Sequence, residues 1–328
     1  MEFAGGGVRL VRAAVALASA GDQIAERTGL NRAFVGTLLL AGATSMPELL
    51  TDVSAVLADA PDLAVGDLFG SSMANMAILA ILDLIHRGTV WPSVELAHAR
   101  VGAVAIALTA VAALGVLTPA GLSVGWVGLD TIAVAAMYVA AVAWFRRTPV
   151  LARAGGLLPT VPRGSLVEPK GRGPVGESVV RFAAATLLIL VAAPLVAFSG
   201  REIAVQAGIS ETTVGAALLA FVTSLPELVA SLAAVRIGAH DLAVGNLFGS
   251  NAANMSVLVL VDLAYLDGPL LAAVSPAQVV AALGAVLLMA LAIAALVTGS
   301  ESRIGRLEPD AVVLLLAYVG ALIAVGMA

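Results

Sequence analysis

Ala43-Thr44-Ser45-Met46-Pro47-Glu48-Leu49 returns 179 residues later as Val222-Thr223-Ser224-Leu225-Pro226-Glu227-Leu228. Each copy sets a proline, two hydroxyls and a glutamate within a long apolar run. The similarity extends well beyond these seven residues. Gly36 to Leu84 aligns without gaps on Gly215 to Leu263, with 27 identities in 49 positions. A repeat of this length and similarity predicts that the chain consists of two copies of one unit.

The composition places the chain in a membrane. Hydrophobic residues make up 60% of it and charged residues only 12%, against roughly 25% charged in a soluble domain. A membrane-spanning helix needs about 20 mostly apolar residues, and such runs are distributed over the whole chain. We therefore predict an all-α polytopic membrane protein rather than a signal peptide or a single anchor. Cysteine is absent, which excludes disulfides and cysteine-based metal or redox chemistry.

Each unit is predicted to contain five spans, so that the protein has ten transmembrane helices. Because five is odd, the second unit enters the membrane from the opposite side, which makes the units two inverted five-helix repeats. We expect the first repeat at 1–150, a linker loop at 151–176 and the second repeat at 177–328. The predicted spans are about 2–20, 31–58, 62–86, 97–117, 123–145, 178–198, 210–236, 241–265, 275–298 and 309–327.

The basic residues predict the orientation. A cytoplasmic loop at 146–181 puts 14 of the 17 Lys and Arg residues at or near cytoplasmic helix ends, as the positive-inside rule requires. The exceptions are Arg9, Arg12 and Arg201. Both termini are then outside, and the expected location is the cell inner (plasma) membrane. The loop is expected to be solvated and attracted to anionic membrane lipid.

The proline-containing segments are suited to bind cations. Proline removes one backbone N–H and frees the carbonyl four residues earlier, and irregular backbone at membrane depth is tolerated where it lines a cavity. Hard cations prefer oxygen ligands, and Ca²⁺ takes about six to eight. The plain alternative is a kinked helix with a glutamate that reaches toward the membrane surface. The candidate oxygen donors are the side chains of Glu48, Glu227, Thr44, Ser45, Thr223 and Ser224.

A second repeated segment runs from Gly66 to Asn75 and returns from Gly245 to Asn254. Its glycines let this helix approach the kinked helix closely. Ser71 lies four residues before Asn75, and Ser250 four before Asn254, so each pair shares one helix face. Packing of small residues alone would also explain this pattern. The simplest functional interpretation is that these four polar side chains face the kinked segments.

Both segments resemble those of the sodium/calcium exchangers of the cation/calcium antiporter superfamily, in particular their prokaryotic members. That family carries G-T-S-x-P-E and G-N-x-x-G-S-N-x-x-[ND] in each repeat, and the resemblance covers nearly the whole chain. It implies ion sites at the membrane midplane and Ca²⁺ export driven by Na⁺ entry. It also implies the ligand positions, which are Glu48, Glu227, Thr44, Ser45, Thr223, Ser224, Ser71, Ser250, Asn75, Asn254 and the backbone carbonyls of Ala41 and Ala220.

The chain departs from the family pattern at several positions. Asn254 is neutral where many members have Asp, and Asp67 stands where Asn is usual. Asp52 replaces the serine of the second repeat and lies one helical turn beyond Glu48 on the same face. Two carboxylates that close raise one pKa or require a cation. Asp52 is expected to face either the ion path or solvent, and Asp67 to brace the kinked helices.

The sequence thus predicts a secondary active cation antiporter, most simply for Na⁺ and Ca²⁺, with no enzymatic activity, prosthetic group or nucleic-acid partner. Ca²⁺/H⁺ exchange, or transport of Mg²⁺ or Mn²⁺ on the same fold, stays open. A passive channel fits less well, because channels usually build the pore around an oligomer axis, whereas here a monomer can suffice. An intramembrane aspartyl protease is disfavoured because the Gly-x-Gly-Asp motif is incomplete. Asp262 is expected to be an anchor, and His98 to be solvated near a loop.

Overall fold

The structure, a computed structural model, describes residues 2–85, 94–118, 122–147, 174–206, 220–298 and 309–328. It is helical almost throughout, with a two-stranded antiparallel hairpin of β1 (Ser123–Val124) and β2 (Val127–Gly128). A π-helical segment, Val35–Leu40, lies between α2 and α3. The helices are α1 (Glu2–Thr28), α2 (Arg32–Phe34), α3 (Ala41–Thr44), α4 (Met46–Leu57), α5 (Pro61–Ile85), α6 (Ala97–Leu117), α7 (Leu129–Arg147), α8 (Val175–Gln206), α9 (Leu225–Arg236), α10 (His240–Ala264), α11 (Leu270–Ala273), α12 (Gln278–Thr298) and α13 (Pro309–Met327).

Seven helical stretches in the described part of the chain are long and apolar enough to cross a membrane. They include Arg32–Leu57, which joins α2 to α4, and the whole of α5, α6, α10, α12 and α13. The N-terminal part of α8 is the seventh. α7 is a shorter apolar helix, and α1 is 27 residues long but carries several charges. The polytopic helical architecture is confirmed, and α6 has the predicted bounds.

Both kinked helices break at the serine of the repeated segment. Ser45 separates α3 from α4, and Ser224 separates the helical residues 220–223 from α9. The two serines have nearly the same backbone angles, with φ −81 and ψ −6 at Ser45 and φ −82 and ψ 6 at Ser224. Proline at the start of each following helix explains the break, because it has no N–H to donate to the preceding turn.

α5 and α10 form the centre of the molecule and are buried along most of their length. The predicted close approach of their glycines is confirmed, but the neighbour belongs to the other repeat. A Cβ added at Gly249 would lie 2.4 Å from the carbonyl oxygen of Thr37, and one at Gly70 would lie 2.8 Å from Cβ of Ala220. Each central helix therefore packs against the kinked helix of the opposite unit.

The neighbours of the first turns of α5 and α10 show that the two helices run antiparallel. At the start of α10, Asp241 Oδ1 accepts a hydrogen bond from the Glu95 backbone N–H at 2.8 Å and lies 3.1 Å from His98 Nε2. A Cβ at Gly245 would meet His98, whereas one at Gly66 of α5 would meet Gln278, at the beginning of α12. The equivalent starts of α5 and α10 thus lie among different helix ends, as an inverted repeat requires.

Two polar residues outside the centre have defined structural roles. Asp262 is an anchor as predicted, because its carboxylate accepts hydrogen bonds from the backbone N–H groups of Gly128 and Leu270, each at 2.8 Å. The expectation that His98 is solvated is wrong, since its side chain is buried beside Asp241. The position of His98 near a loop in the sequence does not indicate that α6 packs against α10 at this point.

Several predictions fall outside the described residues. They concern most of the linker at 151–176, most of the loop at 146–181 and the beginning of the span at 210–236. The unit boundaries at 150 and 177 stay predictions.

Candidate ion-binding site

The glutamate of each repeated segment accepts a hydrogen bond from the serine of the other repeat. Ser224 Oγ donates to Glu48 Oε1 at 3.0 Å, and Ser45 Oγ donates to Glu227 Oε1 at 3.4 Å. Ser250 Oγ adds a longer hydrogen bond of 3.5 Å to Glu227. Both glutamates are 0% exposed. The two breaks in the kinked helices therefore meet at one buried centre.

The two threonines, one residue earlier in the chain, also form hydrogen bonds to the opposite repeat, in this case to its central helix. Thr44 Oγ1 donates to Asn246 Oδ1 at 3.2 Å, and Thr223 Oγ1 donates to Asp67 Oδ1 at 3.1 Å. Asn246 and Asp67 occupy equivalent positions in α10 and α5, so these contacts are related by the internal symmetry. Ser71 joins the same cluster, with its Oγ 3.4 Å from Thr223 Oγ1.

The carbonyls of Ala41 and Ala220 lie at the same centre. Ala41 accepts the Ser45 N–H at 2.9 Å, and its oxygen lies 3.2 Å from the Thr44 hydroxyl. Ala220 accepts the Ser224 N–H at 3.1 Å, and its oxygen lies 3.1 Å from the Thr223 hydroxyl. A threonine hydroxyl has one proton, which it can donate either to the carbonyl or to the central helix, so each carbonyl can expose a lone pair to a cation.

The amide side chains lie on the inner faces of α5 and α10. Asn75 Nδ2 donates to Asn251 Oδ1 at 2.9 Å, and Asn251 Nδ2 donates to the Ser72 carbonyl at 3.2 Å. Asn254 lies beside the Glu48 carboxyl. Several buried oxygens around the centre have no hydrogen-bond partner. They are Glu48 Oε2, Glu227 Oε2, Asn75 Oδ1 and Asn254 Oδ1.

Asp52 was expected to face either the ion path or solvent. Its side chain is fully buried, so it does not face solvent. Its carboxyl faces that of Asp67 and lies within electrostatic range of Glu48. Asp67 accepts from Thr223 on the other repeat's kinked helix, which is the bracing contact expected of it. The equivalent pair in the second repeat is neutral, since Asn246 Nδ2 donates to Ser231 Oγ at 3.0 Å.

The charge balance of the interior is strongly negative. Six carboxyl side chains are buried in the described part of the chain, and four of them lie at or beside the centre, with exposures of 0% for Glu48, Asp52 and Glu227 and 1% for Asp67. No Lys or Arg is buried among the side chains that the structure describes. A buried carboxylate without a basic partner is expensive and has to be neutralised by a cation or a proton. The centre is therefore suited to take up positive charge.

The donor set is rich in neutral oxygens. In the described ranges no three Asp, Glu or His side chains converge as in a dense acidic metal centre. The centre instead combines two glutamates with hydroxyl, amide and carbonyl oxygens from both repeats. Such ligands suit hard cations such as Ca²⁺ and Na⁺. Because most of the ligands are neutral, a bound cation can still be released.

Two participants were not singled out in the sequence, Asn246 and Asn251. Both are fully buried and form hydrogen bonds to the first repeat. Asn246 accepts from Thr44, whereas Asn251 accepts from Asn75 and donates to the Ser72 carbonyl. Their position in the repeated segment was visible, but alignment of one repeat on the other does not show which residues contact each other between repeats. The π-helical turn at Val35–Leu40, a feature often found near functional sites, also had no sequence signal.

Comparison with known proteins agrees with the geometry. The inner membrane protein YrbG of Escherichia coli (strain K12) is 30% identical over 253 residues, which cover 76% of this chain and 74% of that protein. The putative antiporter CaxA of Alkalimonas amylolytica is 28% identical over 310 residues, 91% of this chain and 89% of CaxA. Both similarities extend across the two repeats.

The fold is that of a solved exchanger. A structure of the sodium-calcium exchanger NCX_Mj, soaked with Na⁺ in the absence of Ca²⁺, superposes with a TM-score of 0.72 at 22% identity, covering 98% of this chain and 97% of that one. The family described as "Sodium/calcium exchanger protein" matches residues 3–146 and 177–327, which include both kinked segments and both central helices. The chain therefore belongs to the sodium/calcium exchanger family of membrane transport proteins.

Proposed function

We propose that the protein exchanges Na⁺ for Ca²⁺, with Na⁺ entry driving Ca²⁺ export. The observation that carries the proposal is the pairing of Glu48 and Glu227 at one buried centre, each bonded to the serine of the opposite repeat. Membership of the sodium/calcium exchanger family supports cation antiport. The direction of transport and the choice of ions are inferred here from the site and the family together.

The ligands we propose for the transported ions are contributed equally by the two repeats. Glu48 and Glu227 supply charge, and the carbonyls of Ala41 and Ala220 supply dipoles. Bonds now made between these groups would be exchanged for bonds to the ion. The remaining proposed ligands are the side chains of Thr44, Ser45, Ser71, Asn75, Thr223, Ser224, Ser250 and Asn254.

Competition at the two glutamates provides the coupling. Both carboxylates are fully buried, so an empty, doubly charged centre is costly. The site reorients with its ions bound and resists reorientation when empty and charged. Na⁺ and Ca²⁺ need the same carboxylate oxygens and therefore exclude one another. Alternating access follows when α1 and α8, which pack against each other, slide over the remaining helices.

The basic residues support an orientation with the loop at 146–181 in the cytoplasm and both termini outside, in the plasma membrane of the cell. Arg27 Nη1 donates to the Pro174 carbonyl at 2.9 Å and to Ser178 Oγ at 2.8 Å. This contact joins the end of α1 to the start of α8 on the proposed cytoplasmic side.

The test is ⁴⁵Ca²⁺ uptake into proteoliposomes under an imposed Na⁺ gradient and, separately, under an imposed pH gradient. We expect uptake with the Na⁺ gradient and its loss in Glu48→Gln and in Glu227→Gln. Glu177→Gln is the matched control, because Glu177 is exposed and forms an ion pair with Arg181 in the same helix. Full uptake in both buried variants would contradict the proposal.

A second candidate is Ca²⁺/H⁺ exchange, or transport of another divalent ion such as Mg²⁺ or Mn²⁺. The observation that favours it is Asn254, a neutral side chain beside Glu48 where many family members have a carboxylate. Uptake that follows the pH gradient and ignores the Na⁺ gradient would select H⁺ as the counter-ion. Inhibition of ⁴⁵Ca²⁺ uptake by an excess of Mg²⁺ or Mn²⁺ ranks the divalent ions.

A further inference from the structure

A hydrogen-bonded cluster joins three helices at the proposed cytoplasmic end of the molecule. At the start of α10, Asp241 Oδ1 accepts a hydrogen bond from the Glu95 backbone N–H at 2.8 Å and lies 3.1 Å from His98 Nε2. Asn31, just before α2, donates to both carboxylate oxygens of Glu95, at 2.9 and 3.0 Å. We call these four residues the cytoplasmic-end cluster. They hold together the first turns of α2, α6 and α10.

An equivalent contact lies at the other end of the molecule and differs in one respect. Asp62, at the start of α5, is the repeat equivalent of Asp241. Its Oδ1 accepts the Ser275 backbone N–H at 2.7 Å, and its carbonyl accepts a hydrogen bond from Gln278 Nε2 at 3.0 Å. Gln278 is the repeat equivalent of His98. Histidine changes charge between about pH 5 and 8, whereas an amide does not titrate, so only the contact with histidine can respond to pH through this position.

The surroundings of the His98 ring suit its neutral form. Nε2 faces a carboxylate oxygen of Asp241, so Nε2 carries the hydrogen and donates it. Nδ1 is buried and has no hydrogen-bond partner among the described residues, and the side chain is 1% exposed. A neutral imidazole with its lone pair on Nδ1 satisfies this arrangement. The structure therefore corresponds to the neutral ring.

Protonation changes what the ring requires. An imidazolium donates from both nitrogens, and the new Nδ1–H would have no acceptor in its buried position. Removal from water also disfavours a charged group. Attraction to Asp241 opposes both effects, but its side chain is 21% exposed, so water weakens the attraction. The protonated ring should therefore leave its place beside Asp241 and reach water.

The other charged groups at this end do not replace the missing acceptor. They are Glu95, Arg100, Arg32, His240 and, at the end of α7, Arg146 and Arg147. Glu95 directs both carboxylate oxygens to Asn31, and the arginines are cations that cannot accept a hydrogen bond. α12, which also packs against α6, has no titratable side chain. Asp241 is thus the acid that contacts the ring.

We propose that His98 is a proton-operated release for the cytoplasmic-end cluster. When the ring is neutral, the first turns of α2, α6 and α10 are joined. When it is protonated, the ring leaves Asp241 and α10 separates from α2 and α6. Because α2 leads to Thr44 and α10 carries Ser250, both proposed ion ligands, acidification on this side slows ion exchange. The effect on exchange rests on the proposed function, whereas the release itself does not.

Cysteine labelling measures the release without transport. Ala33, on α2, is 7% exposed and lies, like His98, beside Gly245 of α10, and the chain has no native cysteine. In purified full-length protein, Ala33→Cys should react with maleimide faster as the pH falls from about 8 to about 5.5. Divided by the rate at the exposed Glu26→Cys at the same pH, which cancels the titration of the thiol, the rate should rise at least about fivefold.

His98→Gln installs the residue of the equivalent contact at the other end and should make this ratio constant with pH. His240→Gln is the matched control, because it removes a second histidine at the same helix end, and it should keep the pH response. A constant ratio with His98 intact would overturn the proposal. A response that survives His98→Gln, or that disappears with His240→Gln, would overturn it as well.

The effect on exchange is measured as ⁴⁵Ca²⁺ uptake under a Na⁺ gradient at several pH values. Uptake by wild type should fall more steeply with acid pH than uptake by His98→Gln, by a factor similar to that of the labelling. Both proteins keep Glu48 and Glu227, so protons at the ion site affect them alike. Identical pH profiles would overturn the effect on exchange. Absence of uptake by both proteins would contradict the proposed function and not the release.

Discussion

Ser224 lies on the second repeat, yet its hydroxyl donates to Glu48 of the first repeat at 3.0 Å, and Ser45 makes the reciprocal hydrogen bond to Glu227. Removal of either hydroxyl leaves a buried carboxylate oxygen with one partner fewer. A hydrogen bond to a charged group contributes about 1.5–3 kcal/mol. The reciprocal pair thus makes each carboxylate depend on the fold of the opposite unit.

The first prediction concerns these serines. Ser224→Ala should raise the Ca²⁺ concentration that gives half-maximal uptake by roughly tenfold or more. The variant loses a hydrogen bond to Glu48 and a proposed ion ligand together. Ser45→Ala should act in the same direction. Both are measured by ⁴⁵Ca²⁺ uptake into proteoliposomes at a fixed Na⁺ gradient.

Ser54→Ala serves as the control for both serines. Ser54 is exposed, and its hydroxyl donates to the Leu50 carbonyl within the same helix at 2.6 Å. Its removal should leave the half-saturating Ca²⁺ concentration unchanged. If Ser224→Ala behaves like Ser54→Ala, the contact with Glu48 has no part in Ca²⁺ binding.

The second prediction tests the close contact of the central helix. A Cβ at Gly249 would lie 2.4 Å from the Thr37 carbonyl oxygen and 2.7 Å from its Cα, and backbone atoms cannot turn aside. Gly249→Ala should lower the free energy of unfolding by about 1–3 kcal/mol, the usual cost of an overpacked core. The measurement is the melting temperature of the purified protein in detergent.

Gly42 offers the opposite case within α3. A Cβ there would meet no atom of the described residues within 4 Å, and alanine is the better helix former by about 1 kcal/mol. Gly42→Ala should keep or raise the melting temperature. An equal loss in the two variants would show that the close approach to Thr37 does not cause the loss at Gly249.

The third prediction concerns pH. Burial raises the pKa of the Glu95 carboxyl, although Asn31 opposes this shift through hydrogen bonds of 2.9 and 3.0 Å from its Nδ2. Because the folded pKa lies above the unfolded one, the folded state binds more protons between the two values. The contribution of Glu95 to stability should therefore fall as pH rises through the ordinary glutamate pKa toward the folded one, and be constant above it.

Glu95→Gln isolates this effect. The amide keeps an acceptor for Asn31 and does not titrate. The difference in melting temperature between wild type and Glu95→Gln should change in disfavour of wild type as pH rises through that window. Parallel pH curves for the two proteins would show that Glu95 has the same pKa in both states.

The fourth prediction concerns orientation, and the lack of native cysteine makes it direct. Ser123→Cys in the β1–β2 hairpin should react with a membrane-impermeant maleimide in intact cells. Glu26→Cys near the end of α1 should react only after the membrane is opened. Both positions are exposed. The reverse pattern would place the loop at 146–181 outside the cell.

Much of the architecture was predictable because the repeat and the apolar runs are strong local signals. The bounds of α6 were predicted to the residue, and the breaks at Ser45 and Ser224 fall within the proline segments. Seven helical stretches of the described chain are long and apolar enough to cross the bilayer, so the length of each is set by the membrane as well as by its own sequence. The anchoring role of Asp262 was also predicted and is confirmed.

The pairing between repeats was not predictable, because alignment of the two copies matches positions and contains no information about contacts between them. The partners of Glu48 and Asn75 lie 176 residues away in the chain. The burial of His98 likewise depends on the packing of α6 against α10. The acidic pair of Asp52 and Asp67 was visible as a departure from the repeat, but only the structure shows that the two carboxyls face each other.

The cross-repeat hydrogen bonds have a consequence for the two copies of the unit. Four hydrogen bonds of Glu48, Glu227, Thr44 and Thr223 cross between the repeats, and each joins a kinked segment to the kinked segment or the central helix of the other unit. A single unit holds only one half of these contacts and could complete them only by pairing, upside down, with a second copy. Because both copies lie in one chain, their residues can differ, as Asp52 and Asp67 opposite Ser231 and Asn246 show.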